Sequence, residues 1–125
     1  MSTRDARAYL YDIVQACEAI AEVLGASDDE SYRSELIVRL ATERELITIG
    51  EAAARLAEVE PDAGADWPVA LTAVVGLRNI LVYGYFKVDD GRVYEIASQQ
   101  VPLLLEAAQQ ALGRPEADGS TETRD

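Results

Sequence analysis

From Arg4 to Leu24 the large and small apolar residues fall at Leu10, Ile13, Val14, Cys17, Ile20, Ala21 and Leu24, separated by three, one, three, three, one and three positions. That rhythm is one face of an α-helix. Gly25 is a natural stop, and Ser27-Asp28-Asp29-Glu30-Ser31 supplies N-cap side chains and acids suited to the positive end of a helix dipole. A second and longer helix is expected from Tyr32 to Val59, with Leu36, Ile37, Leu40, Leu46, Ile47, Gly50, Ala54 and Leu56 as its apolar contacts. Its small residues Gly50, Ala52, Ala53 and Ala54 allow another helix to approach closely, although Gly50 costs up to about 1 kcal/mol of helix propensity.

Pro61-Asp62-Ala63-Gly64 ends that helix, and Asp66-Trp67-Pro68 signals the next, with the proline in its first turn. From Pro68 to Val82, Leu71, Val74, Val75, Leu77, Leu81 and Val82 predict a buried helix that Gly84 closes or kinks. A turn follows from Phe86 to Gly91, built on Asp89-Asp90-Gly91. Arg92 to Gln100 and Pro102 to Leu112 predict two short helices, or one kinked at Pro102. Residues 113–125 carry Gly, Pro, Ser, Thr and charges without a large apolar side chain, the composition of a disordered tail. The expectation is an all-α chain with one domain over residues 1–112.

A length of 125 residues suffices for one core and hardly for two. No stretch approaches the roughly 20 apolar residues that a membrane span requires, and the N-terminal helix carries Asp12 and Glu18 where a signal peptide is uninterruptedly apolar. A cytoplasmic protein is expected. Cys17 is the single cysteine, which excludes an internal disulfide, and its place on the apolar face marks it as a small core residue. The net charge of −12, from 23 acids against 11 Lys and Arg, argues against broad coating of nucleic acid. A few arginines in a cleft can still hold a phosphate. The acids at 28–30 and at Glu58 and Glu60 read as solvated helix ends rather than metal sites.

One stretch departs from ordinary core sequence: Gly76-Leu77-Arg78-Asn79-Ile80-Leu81-Val82-Tyr83-Gly84-Tyr85-Phe86-Lys87-Val88-Asp89. It sets Arg78 and Asn79 in the middle of an apolar helix. A half-buried guanidinium is costly unless paired, so either an acid of the second helix, Glu43 or Glu51, neutralises Arg78, or Arg78 lines a cleft.

This stretch resembles the Arg-Asn-x-Leu-Val-His-Gly-Tyr-x-x-x-Asp signature of HEPN domains in the HepT-like branch. Residues 4–13 resemble that family's opening helix and residues 45–53 its second, while Asp66-Trp67 and residues 101–104 also fit, so the likeness spans about residues 4 to 112. The resemblance implies a four- to five-helix bundle that forms a homodimer, with the motif helices of both subunits facing one cleft. It implies the toxin of a type VII-like toxin–antitoxin pair, partnered by a minimal nucleotidyltransferase antitoxin, and metal-independent cleavage of RNA without a cofactor. In that chemistry a ribose 2′-hydroxyl attacks the adjacent phosphate, an arginine stabilises phosphoryl charge and a histidine transfers a proton. Arg78 and Asn79 match the family's positions. Tyr83 stands where the histidine belongs, and the chain contains no histidine at all.

Histidine titrates near pH 6.5, whereas a free tyrosine has a pKa near 10 and is a poor base at neutral pH. The expectation is a toxin fold with weakened or absent ribonuclease activity; the alternative is a non-catalytic helical module that binds a nucleotide or a protein. Arg78 and Tyr83 are about 140° apart on a regular helix, while Asn79 and Tyr83 share a face, so Arg78 and Tyr83 need a dimer or a kink at Gly84 to converge. Tyr85 matches the tyrosine that, in the resembling toxins, receives AMP from the antitoxin; its other reading is an aromatic packed beneath the Asp89-Asp90-Gly91 turn. Trp67 is expected as a packing anchor, and of Tyr9 and Tyr11 at least one faces solvent.

Overall fold

The computed structural model describes residues 5–113, all of whose regular elements are helical. Helix α1 (Ala6–Leu24) starts on Asp5, whose carboxylate accepts from the Ala8 amide, and ends at Gly25 with φ of 50°. Its apolar stripe is buried as the spacing predicts, with Ile13, Cys17 and Ile20 fully enclosed. Burial pushes the Cys17 thiol up to about 12, with the charge of Glu18 adding to the effect, so it stays protonated as an inert core group. Tyr11 faces solvent and Tyr9 is half-buried.

The expected helix from Tyr32 to Val59 is broken at Glu35, which is extended with φ −110° and ψ 99°. Two elements result, α2 (Asp29–Ser34) and α3 (Leu36–Val59). Asp28 and Ser31 cap α2 reciprocally, and these donors hold the Asp28 carboxyl below its ordinary range. A carbonyl exposed by the break is taken up when Arg39 donates to Arg33 O at 2.6 Å. Tyr32 is wholly buried, its ring 5.5 Å from that of Tyr94, which in turn donates to Ser27 O at 2.8 Å.

Helix α4 (Leu71–Tyr83) begins three residues after the expected proline start, because Val69 turns its side chain into the core ahead of it. Gly64, with φ of 80°, makes the preceding loop; a Cβ there would meet the Leu71 side chain at 2.9 Å, and half-buried Trp67 packs alongside. The expected turn after α4 is shorter than read. A 3₁₀ turn occupies Tyr85–Lys87, and Asp89 then caps α5 (Asp90–Glu95) by accepting from the Gly91 and Arg92 amides. From α5 the chain runs without a break through Ile96–Gln100 into α6 (Val101–Gly113). Just before Pro102 there is a wide π turn, in which the Val101 amide bonds Ile96 O five residues back. It falls one residue before a proline that has no amide to offer. The tail expected beyond Gly113 lies outside the described residues.

α1, α3 and α6 enclose the core, and α4 lies across α3 on the outside. Besides the 3₁₀ turn that follows it, α3 is the helix against which α4 packs extensively. Two expectations of burial fail for this reason. In α4 only Leu71 and Leu81 are buried, and Val82 is exposed; at the start of α3, Leu36, Ile37 and Leu40 are 55%, 75% and 52% exposed. Among the described residues no helix is long and apolar enough to cross a membrane.

Where α3 meets α5, Arg39 lies 3.7 Å from Asp90 and close to Glu43. Burial raises the Glu43 carboxyl above its ordinary value; the charge of Asp90 adds to this and Arg39 opposes it. A carboxyl with a raised folded-state pKa holds its proton more tightly when folded, so its contribution to stability declines as pH rises through the raised value. Glu43→Gln is therefore expected to raise Tm near pH 7 and to leave it little changed near pH 3, where Glu43 is protonated in both states. Thermal melts of both proteins at the two pH values check this.

Candidate active site

The motif helix is placed by Gly50. A Cβ on Gly50 would stand 2.8 Å from Arg78 Cγ and 3.2 Å from Val74 O, and closer still to Arg78 Cβ. The residue before Gly50 is the fully buried Ile49, which fixes that side of α3 against the core. The stem of Arg78 thus occupies a notch that only glycine leaves open, and the close approach predicted from the small residues of α3 is realised at Gly50.

The guanidinium leaves the notch toward Glu51, its Nη1 3.5 Å from Glu51 Oε2. The Arg78 side chain is 16% exposed and that of Glu51 51%, so the pair is sheltered on one side and open on the other. Of the two acids the sequence offered, Glu51 is the partner, and Glu43 faces Arg39 and Asp90 instead. Arg78 Nε is buried and makes no hydrogen bond within the described residues. A buried donor without an acceptor costs about 1–3 kcal/mol, which a purely structural arginine has little reason to incur.

Asn79 and Tyr83 are placed on the outer face of α4, both exposed, Tyr83 to 72%. Within one chain they are apart from Arg78, as the helical angles require, and Gly84 does not bend α4 to bring them together, since its amide still bonds Ile80 O. Tyr85 opens the 3₁₀ turn beyond; its side chain, and so the accessibility expected of its hydroxyl, lies outside what is described.

Two features went unread in the sequence. Beyond Glu51 a groove of about 410 Å³ runs between α1 and α3, lined by Tyr9, Thr48, Arg44 and Arg55. Arg55 is engaged with Glu58 at 3.5 Å in an exposed pair. Arg44, Thr48, Glu51 and Arg55 recur at helical spacing, a signal present in the sequence but diluted by the overall acidity. The second feature is apolar. Ile80, Tyr83 and Phe86, at and beyond the C-terminal end of α4, and Leu36, Ile37 and Leu40, at the start of α3, are all exposed. Among the described residues no cluster of His, Cys, Asp or Glu suits a metal ion.

The all-helical bundle with an arginine at the crossing of its motif helix is that of a HEPN-class chain, and the sequence comparisons agree. Residues 13–111 match the family model described as Ribonuclease HepT-like, and the chain belongs to that family. It is 34% identical over 103 residues to the protein named "Putative RNase MJ1380" of Methanocaldococcus jannaschii, a match covering 82% of this chain and 92% of the relative. It is 30% identical over 103 residues to "Putative RNase MJ0125" of the same organism, covering 82% and 86%. No solved structure matches it.

Since Gly50 sets the position of Arg78, a single added methyl there tests the notch. Gly50→Ala gains up to about 1 kcal/mol in helix propensity, but its Cβ meets Arg78 next to the backbone, where the side chain cannot swing aside. Overpacking of this kind costs about 1–3 kcal/mol, so a net loss on the order of 1 kcal/mol is expected in urea unfolding.

Proposed function

We propose that this chain is the toxin of a type VII-like HEPN–nucleotidyltransferase pair, an RNA endonuclease by descent whose own activity is weak because Tyr83 replaces the motif histidine. The observation that carries this reading is Arg78: a guanidinium set in a glycine notch, held by a half-exposed carboxylate and left, among the described residues, with one buried donor unused. A phosphodiester entering on the open side competes with Glu51 for the guanidinium and presents two oxygens, a better match to its planar fork than one carboxylate oxygen at 3.5 Å. Arg44 and Arg55 line the groove beyond Glu51 together with Asp12, Arg55 being shared with Glu58, and offer positive charge for neighbouring phosphates.

Cleavage requires no metal in this reading. The ribose 2′-oxygen attacks phosphorus, the 5′-oxygen leaves, and Arg78 stabilises the charge that builds on the phosphoryl oxygens. One group must take the 2′-hydroxyl proton and one must protonate the 5′-oxygen, and the tyrosine at position 83 is poorly suited to the first task. Asn79, one turn earlier on the same face, positions the phosphate or ribose by hydrogen bonding.

The exposed apolar residues Ile80, Tyr83, Phe86, Leu36, Ile37 and Leu40 support a homodimer closed through them. Across a two-fold axis Tyr83 of one subunit then faces the cleft of the other, where Arg78 and Tyr83 of one chain alone do not meet. Tyr85, two residues on, is the proposed acceptor of AMP from the antitoxin, and the added phosphate closes the cleft by bulk and charge.

A second reading, a non-catalytic module that holds a nucleotide on Arg78, is favoured by the lack of any histidine and by the net charge of −12.

The two are separated by assaying cleavage of a structured RNA by this chain and by Tyr83→His. Proton transfer contributes about 10²–10⁴-fold, and Tyr83→His is expected to gain a factor in that range, which Arg78→Ala abolishes. Equal activity of the tyrosine and histidine forms refutes the assignment of Tyr83, and absence of cleavage in both favours the binding module. Incubation with the cognate nucleotidyltransferase and ATP is expected to add adenylyl mass to the peptide bearing Tyr85, and Tyr85→Phe to remove that label.

A further inference from the structure

Because α4 leans on α3 and leaves the α5–α6 rod largely untouched, a gap remains on its inner flank. The gap is a cavity of about 80 Å³ with Ile49 and Leu104 as floor, Val74 and Leu77 as one wall, and Arg92 and Gln100 at the rim. One ordered water needs about 10–15 Å³ and two to four polar partners, whereas a cavity of about 150 Å³ takes benzene. This space is therefore several waters large, too apolar within to keep them, and about half the size that admits an aromatic ring. The π turn at Ile96–Gln100 contributes Ile96 to the lining and Gln100 to the rim, and such widened turns recur at functional sites.

We propose that this cavity binds a small organic carboxylate with a branched aliphatic body of about three carbons. The body fills the apolar interior, and the carboxylate stays at the mouth on Arg92 and the Gln100 amide. Arg92 is 55% exposed and gives one contact to Glu95, Nη1 to Oε1 at 3.0 Å, in a solvent-screened pair. A guanidinium has five N–H donors, so the pair leaves it capacity for a second carboxylate. A neutral ligand of the same shape gains the apolar contacts but not the charge-assisted ones. The site is separate from the phosphodiester chemistry of Arg78, yet Val74 and Leu77 belong to the motif helix, so an occupant braces that helix from its unsupported side.

Isobutyrate and isobutyl alcohol, which share a carbon skeleton, are the probes. Each is titrated into the full chain while backbone amide resonances are followed by NMR. Saturable shifts are expected at Val74, Leu77 and Ile96, with isobutyrate bound about tenfold more tightly than the alcohol. Arg92→Gln is expected to remove that tenfold difference and leave the alcohol unaffected. Ala73→Leu, at an exposed helical position on the cavity wall, is expected to weaken both. Absence of saturable shifts at these amides, equal affinity for acid and alcohol, or undiminished binding to Ala73→Leu overturns the proposal. RNA cleavage plays no part in the readout, so failure here is distinct from failure of the ribonuclease reading.

Discussion

The crossing of α3 and α4 at Gly50 governs the rest of the motif. A glycine at that position lets two helix backbones come within the width of an arginine stem, and the contact sets both the register and the depth of α4. Register then decides which residues meet, setting Val74 and Arg78 against Gly50. Depth decides the fate of the guanidinium, which is pressed out of the notch toward the next residue of α3, Glu51. Charge, exposure and the unpartnered Nε of Arg78 all follow from one missing side chain.

Much of the architecture was legible because helical periodicity is a local property. α1 keeps a strict apolar rhythm between a capping Asp5 and Gly25, and it folds as its pattern dictates. The all-α bundle was likewise readable, from the absence of alternating runs; the small residues of α3 marked a close helix approach but not that the Arg78 stem would fill it at Gly50. The break at Glu35 was hidden, since no Gly or Pro marks it, and the reciprocal Asp28–Ser31 cap opens α2 upstream without showing where it ends. Periodicity also names an apolar face without naming what covers it. Leu36, Ile37, Leu40 and Val82 satisfied the pattern and remain in solvent. The choice between Glu43 and Glu51 turned on where α4 crosses α3, a tertiary fact that no spacing along one helix encodes.

The electrostatics are sorted by place rather than by total. Acids collect at helix ends, where Asp5, Asp28 and Asp89 cap with their carboxylates, and this accounts for part of the excess negative charge without loading it onto the motif. Beside Arg78 and Glu51, the groove lined by Arg44 and Arg55 also carries Asp12, and Arg55 is engaged with Glu58, so the cations there are interleaved with carboxylates.

The one-sided seating of α4 has a dynamic consequence. A helix that rests on a single neighbour shares little of the global cooperativity of the core, and its backbone hydrogen bonds can open in a sub-global step that leaves α1, α3 and α6 intact. The segment carrying Arg78 is thus among the least protected parts of the molecule when alone, and whatever covers its outer face contributes ordering as well as contact. In the proposed homodimer, ordering of the segment that carries Arg78 would coincide with assembly.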